Sequence, residues 1–149
     1  MGSLRRHLLK KDYLRIPLKT VGTGHLKFDA KINGVEGEFI LDTGASNTCI
    51  GFEDLERFKL FAEDSDIKAA GAGAIDMLTQ VAQNNRIDIG DWFTEKASIV
   101  LFDLSHVNTA LINHNAQPVS GIIGADILKQ GKVVIDYQYE CMYLKKKSK

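Results

Sequence analysis

Asp42-Thr43-Gly44 is the segment of this chain best suited to chemistry. It ends an apolar run, Phe39-Ile40-Leu41, and is followed by Ala45-Ser46. A strand that carries a carboxylate out of a buried sheet onto a Thr-Gly turn places charge where desolvation is costly, unless neighbours or a shared proton offset it. Asp followed by Gly also starts ordinary turns, in which Asp accepts from its own backbone and Gly supplies positive φ. A second signal lies far downstream in Gly121-Ile122-Ile123-Gly124-Ala125-Asp126-Ile127-Leu128, an apolar pair closed by Gly that runs into a helix-like segment.

Together the two segments resemble one half-site of an aspartic peptidase. The order apolar-apolar-Asp-Thr-Gly-Ala, then apolar-apolar-Gly, is similar to that of the retropepsins, single-domain aspartic proteases of the retroviral type, and the likeness spans residues 25–144. It implies an all-β, closed barrel-like acid-protease domain with a flap hairpin and one to three short helices. Residues 1–24 then form a basic segment with a lead-in strand, and residues 145–149 a basic tail.

Size decides the stoichiometry. With 149 residues the chain holds one sizeable core, and it contains a single Asp-Thr-Gly. Proteolysis of this kind needs two carboxylates, so the partner of Asp42 is expected from a second copy of the chain across a two-fold axis. Such a pair holds one proton between two acids; the ionised Asp42 activates a water, and the protonated copy stabilises the developing oxyanion.

By the same resemblance Thr43 bonds across the two-fold axis and Gly44 lets the two turns approach. Alternation along the strand puts Leu41 inward and Ile40 toward the cleft, with Ile122 in the matching wall, and both would contact substrate. The Gly71-Ala72-Gly73 run has no strand-to-helix context for a phosphate cradle, and the resemblance makes it the tip of the flap.

Two departures from the family pattern stand out. Ala45 follows the Asp-Thr-Gly where pepsin-like sites carry Ser, which points to a mildly acidic to near-neutral working range. The Arg that often follows the apolar pair and the Asp that holds it are replaced together, by Ala125 and Ser46.

The elements that must position these residues are many and short. Leu26, Phe28, Ala30 and Ile32 alternate with polar neighbours, Asn33-Gly34 turns the chain, and residues 35–41 run back to Asp42. Phe52 to Phe58 suggests a short helix or wide loop. Strands are expected at 86–89 and 97–102 around Gly90-Asp91, a helix with an Asp or Ser cap within 103–115, and a strand at 119–124. A short helix at 125–130 stopped by Gly131 and a hairpin of 133–136 with 141–144 complete the chain.

Composition narrows the functions. Lys plus Arg and Asp plus Glu number 19 each, leaving no net charge to suggest a nucleic-acid partner. The basic clusters at the two ends are expected as solvated tails. No apolar run approaches the roughly 18 residues of a membrane span. Cys49 and Cys141 are too few for a disulfide framework, so a reducing, cytoplasmic setting is expected. The four histidines fall at no metal-ligand spacing, and the chemistry requires neither metal nor cofactor.

The leading expectation is a homodimeric aspartic endopeptidase acting on peptides or proteins. Its rival is a catalytically silent retropepsin-like module for dimerisation or peptide binding. A glycine-rich nucleotide binder using Gly71 to Gly73 or Gly22 to Gly24 is the weakest option.

Overall fold

The computed structural model describes residues 3–64 and 79–147. Helix α1 (Leu4–Lys10) leads into β1 (Tyr13–Pro17) and β2 (Lys19–Thr20), followed by β3 (Leu26–Ile32) and β4 (Val35–Leu41). Asn33 and Gly34 both take positive φ, 51° and 84°, the geometry of a two-residue hairpin turn, and the ladder runs in register from Ile32↔Val35 to Leu26↔Leu41.

After β4 come β5 (Cys49–Gly51), a 3-10 turn (Phe52–Asp54), β6 (Ala62–Asp64), β7 (Gln80–Ile89) and β8 (Trp92–Phe102). Helix α2 (Ser105–Asn113), β9 (Gly121–Ile123), α3 (Ala125–Gln130), β10 (Val134–Asp136) and β11 (Cys141–Lys145) end the chain. The eight-stranded sheet has the order β2-β3-β4-β9-β5-β8-β7-β6, and a further β3–β7 pairing closes six of these strands into a barrel. Closure pairs the edges that an open sheet would leave free. The main core lies inside it, with Phe28, Ile32, Phe39, Ile50, Phe58, Ile87, Ile89, Trp92, Ile99 and Leu101 all buried.

Short helices cap this barrel. Helix α3 occupies the expected residues and Gly131 follows it, but the left-handed residue that turns the chain is Lys132, at φ 49°. Gly131 itself has φ −80°, and a Cβ there would lie 2.8 Å from Leu144 Cδ2, so a side chain at this position would have to displace the end of Leu144. The cap of α2 comes from Asp103, whose carboxylate accepts from Ser105 N at 2.8 Å.

Both chain ends are more ordered than solvated tails. Ser3 caps α1 through Arg6 N, and Leu8 packs with Cys141 and Tyr143. Strand β1 pairs with β11 from Tyr13↔Lys145 to Pro17↔Cys141, in a separate sheet of order β1-β11-β10.

Candidate active site

Strand β4 lies between β3, antiparallel, and β9, parallel, and this sandwich fixes where Asp42 emerges. Asp42 N donates to Ile123 O at 3.1 Å, extending the β4–β9 ladder by one bond. The chain then turns sharply, with Ala45 N donating to Asp42 O at 3.2 Å and Gly44 N donating to Asp42 Oδ1 at 2.9 Å. The carboxylate is half-buried, Thr43 and Gly44 are exposed, and Ala45 is buried. One oxygen is thus held by the turn's own backbone.

A second layer ties this turn to β9 and α3. Thr48 Oγ1 donates to Asp126 Oδ1 at 2.8 Å and accepts from Gly124 N at 3.1 Å. The other carboxylate oxygen of Asp126 accepts from Thr48 N at 3.1 Å, and Ala125 N donates to Ala45 O at 2.7 Å. Gly124 is required by this approach, because a Cβ there would meet Ala45 O at 2.7 Å and Asn47 O at 2.8 Å.

The two motifs of the sequence are therefore one unit, joined by the β4–β9 ladder and by a Thr-carboxylate clasp. Retropepsin-like folds are what the comparisons return. The family described as aspartyl protease matches residues 28–127. The chain belongs to the aspartyl protease family.

The fold of this family member is similar to three solved structures. A retropepsin-like aspartic protease from Rickettsia conorii superposes with a TM-score of 0.56 at 17% identity, covering 89% of this chain and 88% of that one. The retroviral protease-like domain of Ddi1 from Leishmania major gives 0.54 at 17% identity, with coverage of 80% and 87%. The EIAV protease complexed with the inhibitor HBY-793 gives 0.51 at 18% identity, with coverage of 70% and 85%. No curated protein matches the sequence.

Placement of the other predicted site residues is uneven. Ile40 and Ile122 are register partners across β4 and β9, as alternation requires. They do not form an open wall: Ile40 is 1% and Ile122 2% exposed. They belong to one apolar cluster with Leu111 of α2 and Val119, against which half-buried Val107, Ala116 and Val21 pack. Leu41 packs against the main core. Gly71, Ala72 and Gly73 lie outside the described residues, although β6 and β7 flanking them pair antiparallel from Ala62↔Ala82 to Asp64↔Gln80.

Thr48 and Asp126 escaped the sequence reading. Ala125 and Ser46 stand where the family's ion pair is expected, and the hydrogen bonds in this layer run between Asp126 and Thr48. A buried Thr beyond the Asp-Thr-Gly and an Asp in the first turn of the helix after Gly124 were the available signal.

Cys49 borders the same layer. Burial, with smaller contributions from the charges of Asp126 and Asp42, pushes its thiol from 9.0 up to about 12, and Sγ donates to Asn47 O at 3.2 Å. It is a neutral packing group. Among the described residues no three His, Cys, Asp or Glu converge to hold a metal ion.

Proposed function

We propose that this aspartyl protease is a homodimeric endopeptidase that hydrolyses peptide bonds with a water held between Asp42 of one copy and Asp42 of another. The observation that carries the reading is the Asp42 turn itself. A single half-buried carboxylate is presented on a braced turn beside exposed Thr43 and Gly44, in a chain with one such motif.

A face suited to the second copy adjoins it. Thr43 lines a shallow depression with Ala125, Leu128, Val133 and Ile135, to which Lys129 and Lys132 also contribute. Strand β10 has β11 on one side and, among the described residues, no strand on the other. The apolar part of this depression, next to a strand edge that the described residues leave unpaired, supports pairing with a copy of itself.

In that dimer the two carboxylates share one proton, since two adjacent like charges in a cleft are disfavoured. The ionised one takes a proton from the water as its oxygen attacks the peptide carbonyl. The protonated one donates to the developing oxyanion, and the amine leaves protonated. Ile40 and Ile122 lie behind the cleft wall in this reading.

Burial of Ile40 and Ile122 under α2 favours a second reading, in which the cleft binds peptide or dimerises without turnover. Incubating wild type and Asp42→Asn with a peptide library across pH separates the two. The protease reading requires cleavage that vanishes in Asp42→Asn while dimerisation, read by analytical ultracentrifugation, persists. Cleavage surviving the substitution removes the mechanism, and binding with no cleavage by either form establishes the silent module.

A further inference from the structure

Charge in this chain is segregated along the sequence, and the fold brings its two basic ends together. The first 20 and last 25 residues carry twelve Lys or Arg against four Asp or Glu, whereas the residues between carry seven against fifteen. A net charge of zero therefore conceals a strongly basic pole on an acidic body. Pairing of β1 with β11 brings the two ends of the chain together there.

Lys145 joins the parts. Its Nζ donates to Lys11 O and lies 5.3 Å from the Tyr13 ring centroid, and Lys146 N donates to Asp12 O at 2.9 Å. Lys132, Lys145, Lys146 and Lys147 line one basin with Asp12 and Gln130, and Arg5, Arg6 and Lys10 line a second with Leu9 on the outer face of α1.

We propose that this pole docks the protein on the surface of an anionic lipid bilayer. What lies among the cations of α1 decides the occupant. Leu8 alone is buried beneath the helix, while Leu4 and Leu9 stay 44% and 45% exposed beside Arg5, Arg6 and Lys10. The outer face of α1 sets Leu9 among Arg5, Arg6 and Lys10, with Leu4 exposed in the first turn, and this mixture matches the boundary between lipid headgroups and acyl chains, where cations meet phosphates and leucines leave water. A nucleic-acid strand would exploit the charge and flat stacking side chains, and it would leave those leucines without a role. The proposal is independent of catalysis, because binding is read without turnover.

The test uses the full chain in vesicle flotation, with phosphatidylcholine alone and phosphatidylcholine mixed with phosphatidylserine, at low and high ionic strength. Wild type should float with the mixed vesicles at low ionic strength and stay in solution with phosphatidylcholine or at high ionic strength. Arg5→Glu with Arg6→Glu should weaken partitioning by roughly tenfold or more. Leu4→Ser with Leu9→Ser should weaken it comparably, while circular dichroism confirms that the exposed substitutions leave the fold intact. Failure of wild type to float with the mixed vesicles overturns the proposal. So does partitioning that neither double variant alters, or a protein that binds an oligothymidylate in fluorescence anisotropy with the leucine pair removed and ignores the vesicles.

Discussion

Thr48 and Asp126, 78 positions apart in sequence, are joined by two hydrogen bonds, from Thr48 Oγ1 at 2.8 Å and from Thr48 N at 3.1 Å. The hydroxyl also accepts from Gly124 N, so a single oxygen connects the strand after the Asp42 turn to the Gly that follows β9. Thr48→Val keeps the shape and removes both roles of that oxygen. The carboxylate loses its hydroxyl donor and Gly124 N its acceptor, for a cost of about 2–3 kcal/mol. Thermal unfolding should fall by roughly 5–10 °C. Thr48→Ser should restore most of it, and an unchanged melting temperature in the Val variant would show that the clasp does not brace the turn.

How far this was legible depends on the distance over which each signal acts. The β3–β4 hairpin could be read from Asn33-Gly34 and its flanking alternation because both are local, and α3 from its place between Gly124 and Gly131. Closure of the barrel by Lys31↔Asp88 and Ile32↔Ile87 has no local signature. Helix α1 was missed because a seven-residue helix with one buried side chain has almost no periodicity, and Leu8 finds its partners at Cys141 and Tyr143. The sharp turn through Asp42, Thr43 and Gly44 was legible from its residue types. The cover over Ile40 and Ile122 was not, since alternation reports which face a side chain takes and is silent on what another segment lays over it.

Gly44 and Gly124 should respond differently to the same methyl group. At Gly124 a Cβ would overlap two backbone carbonyls of the turn, neither of which can move without breaking the layer, so Gly124→Ala should lose roughly 3 kcal/mol in urea unfolding. At Gly44 the nearest atom is Asp42 Oδ1 at 3.4 Å, an ordinary contact within one copy. Gly44→Ala should therefore unfold within about 0.5 kcal/mol of wild type when studied as a monomer. If two turns meet across a two-fold axis, the same variant loses dimerisation and cleavage. A Gly44→Ala protein that still dimerises and cleaves would exclude close approach of the turns.

Cys49 supplies a pH signature at the alkaline end. Unfolded, its thiol ionises near 9.0; folded, burial and the nearby charges of Asp126 and Asp42 hold it neutral up to about 12. A group whose folded value is raised contributes its full stability below the unfolded value and loses it as pH rises through the folded one. Stability should accordingly decline between about pH 9 and 12, by at most roughly 4 kcal/mol from this residue. Cys49→Ala should flatten that decline while lowering stability at neutral pH through the lost side-chain volume. Alkylation by iodoacetamide near neutral pH should be slow in the folded protein and fast in urea; rapid labelling of the native state would contradict the burial.

Leu111 tests what α2 does to the cleft. It is buried in the same apolar cluster as Ile40 and Ile122, with half-buried Val107 of the same helix packed against that cluster. Leu111→Ala should cost about 2–4 kcal/mol, the lost transfer energy of the side chain plus the cavity it leaves. If the proposed endopeptidase reading holds, that cavity opens in the apolar cluster of Ile40 and Ile122 that backs the cleft wall, and it lets the wall give. Peptides with a bulky apolar residue beside the scissile bond should then gain in kcat/KM relative to peptides with a small one, because the enlarged space accepts the extra volume in the transition state. A uniform fall in kcat/KM across both peptide sets would instead mean that α2 supports the wall without shaping specificity.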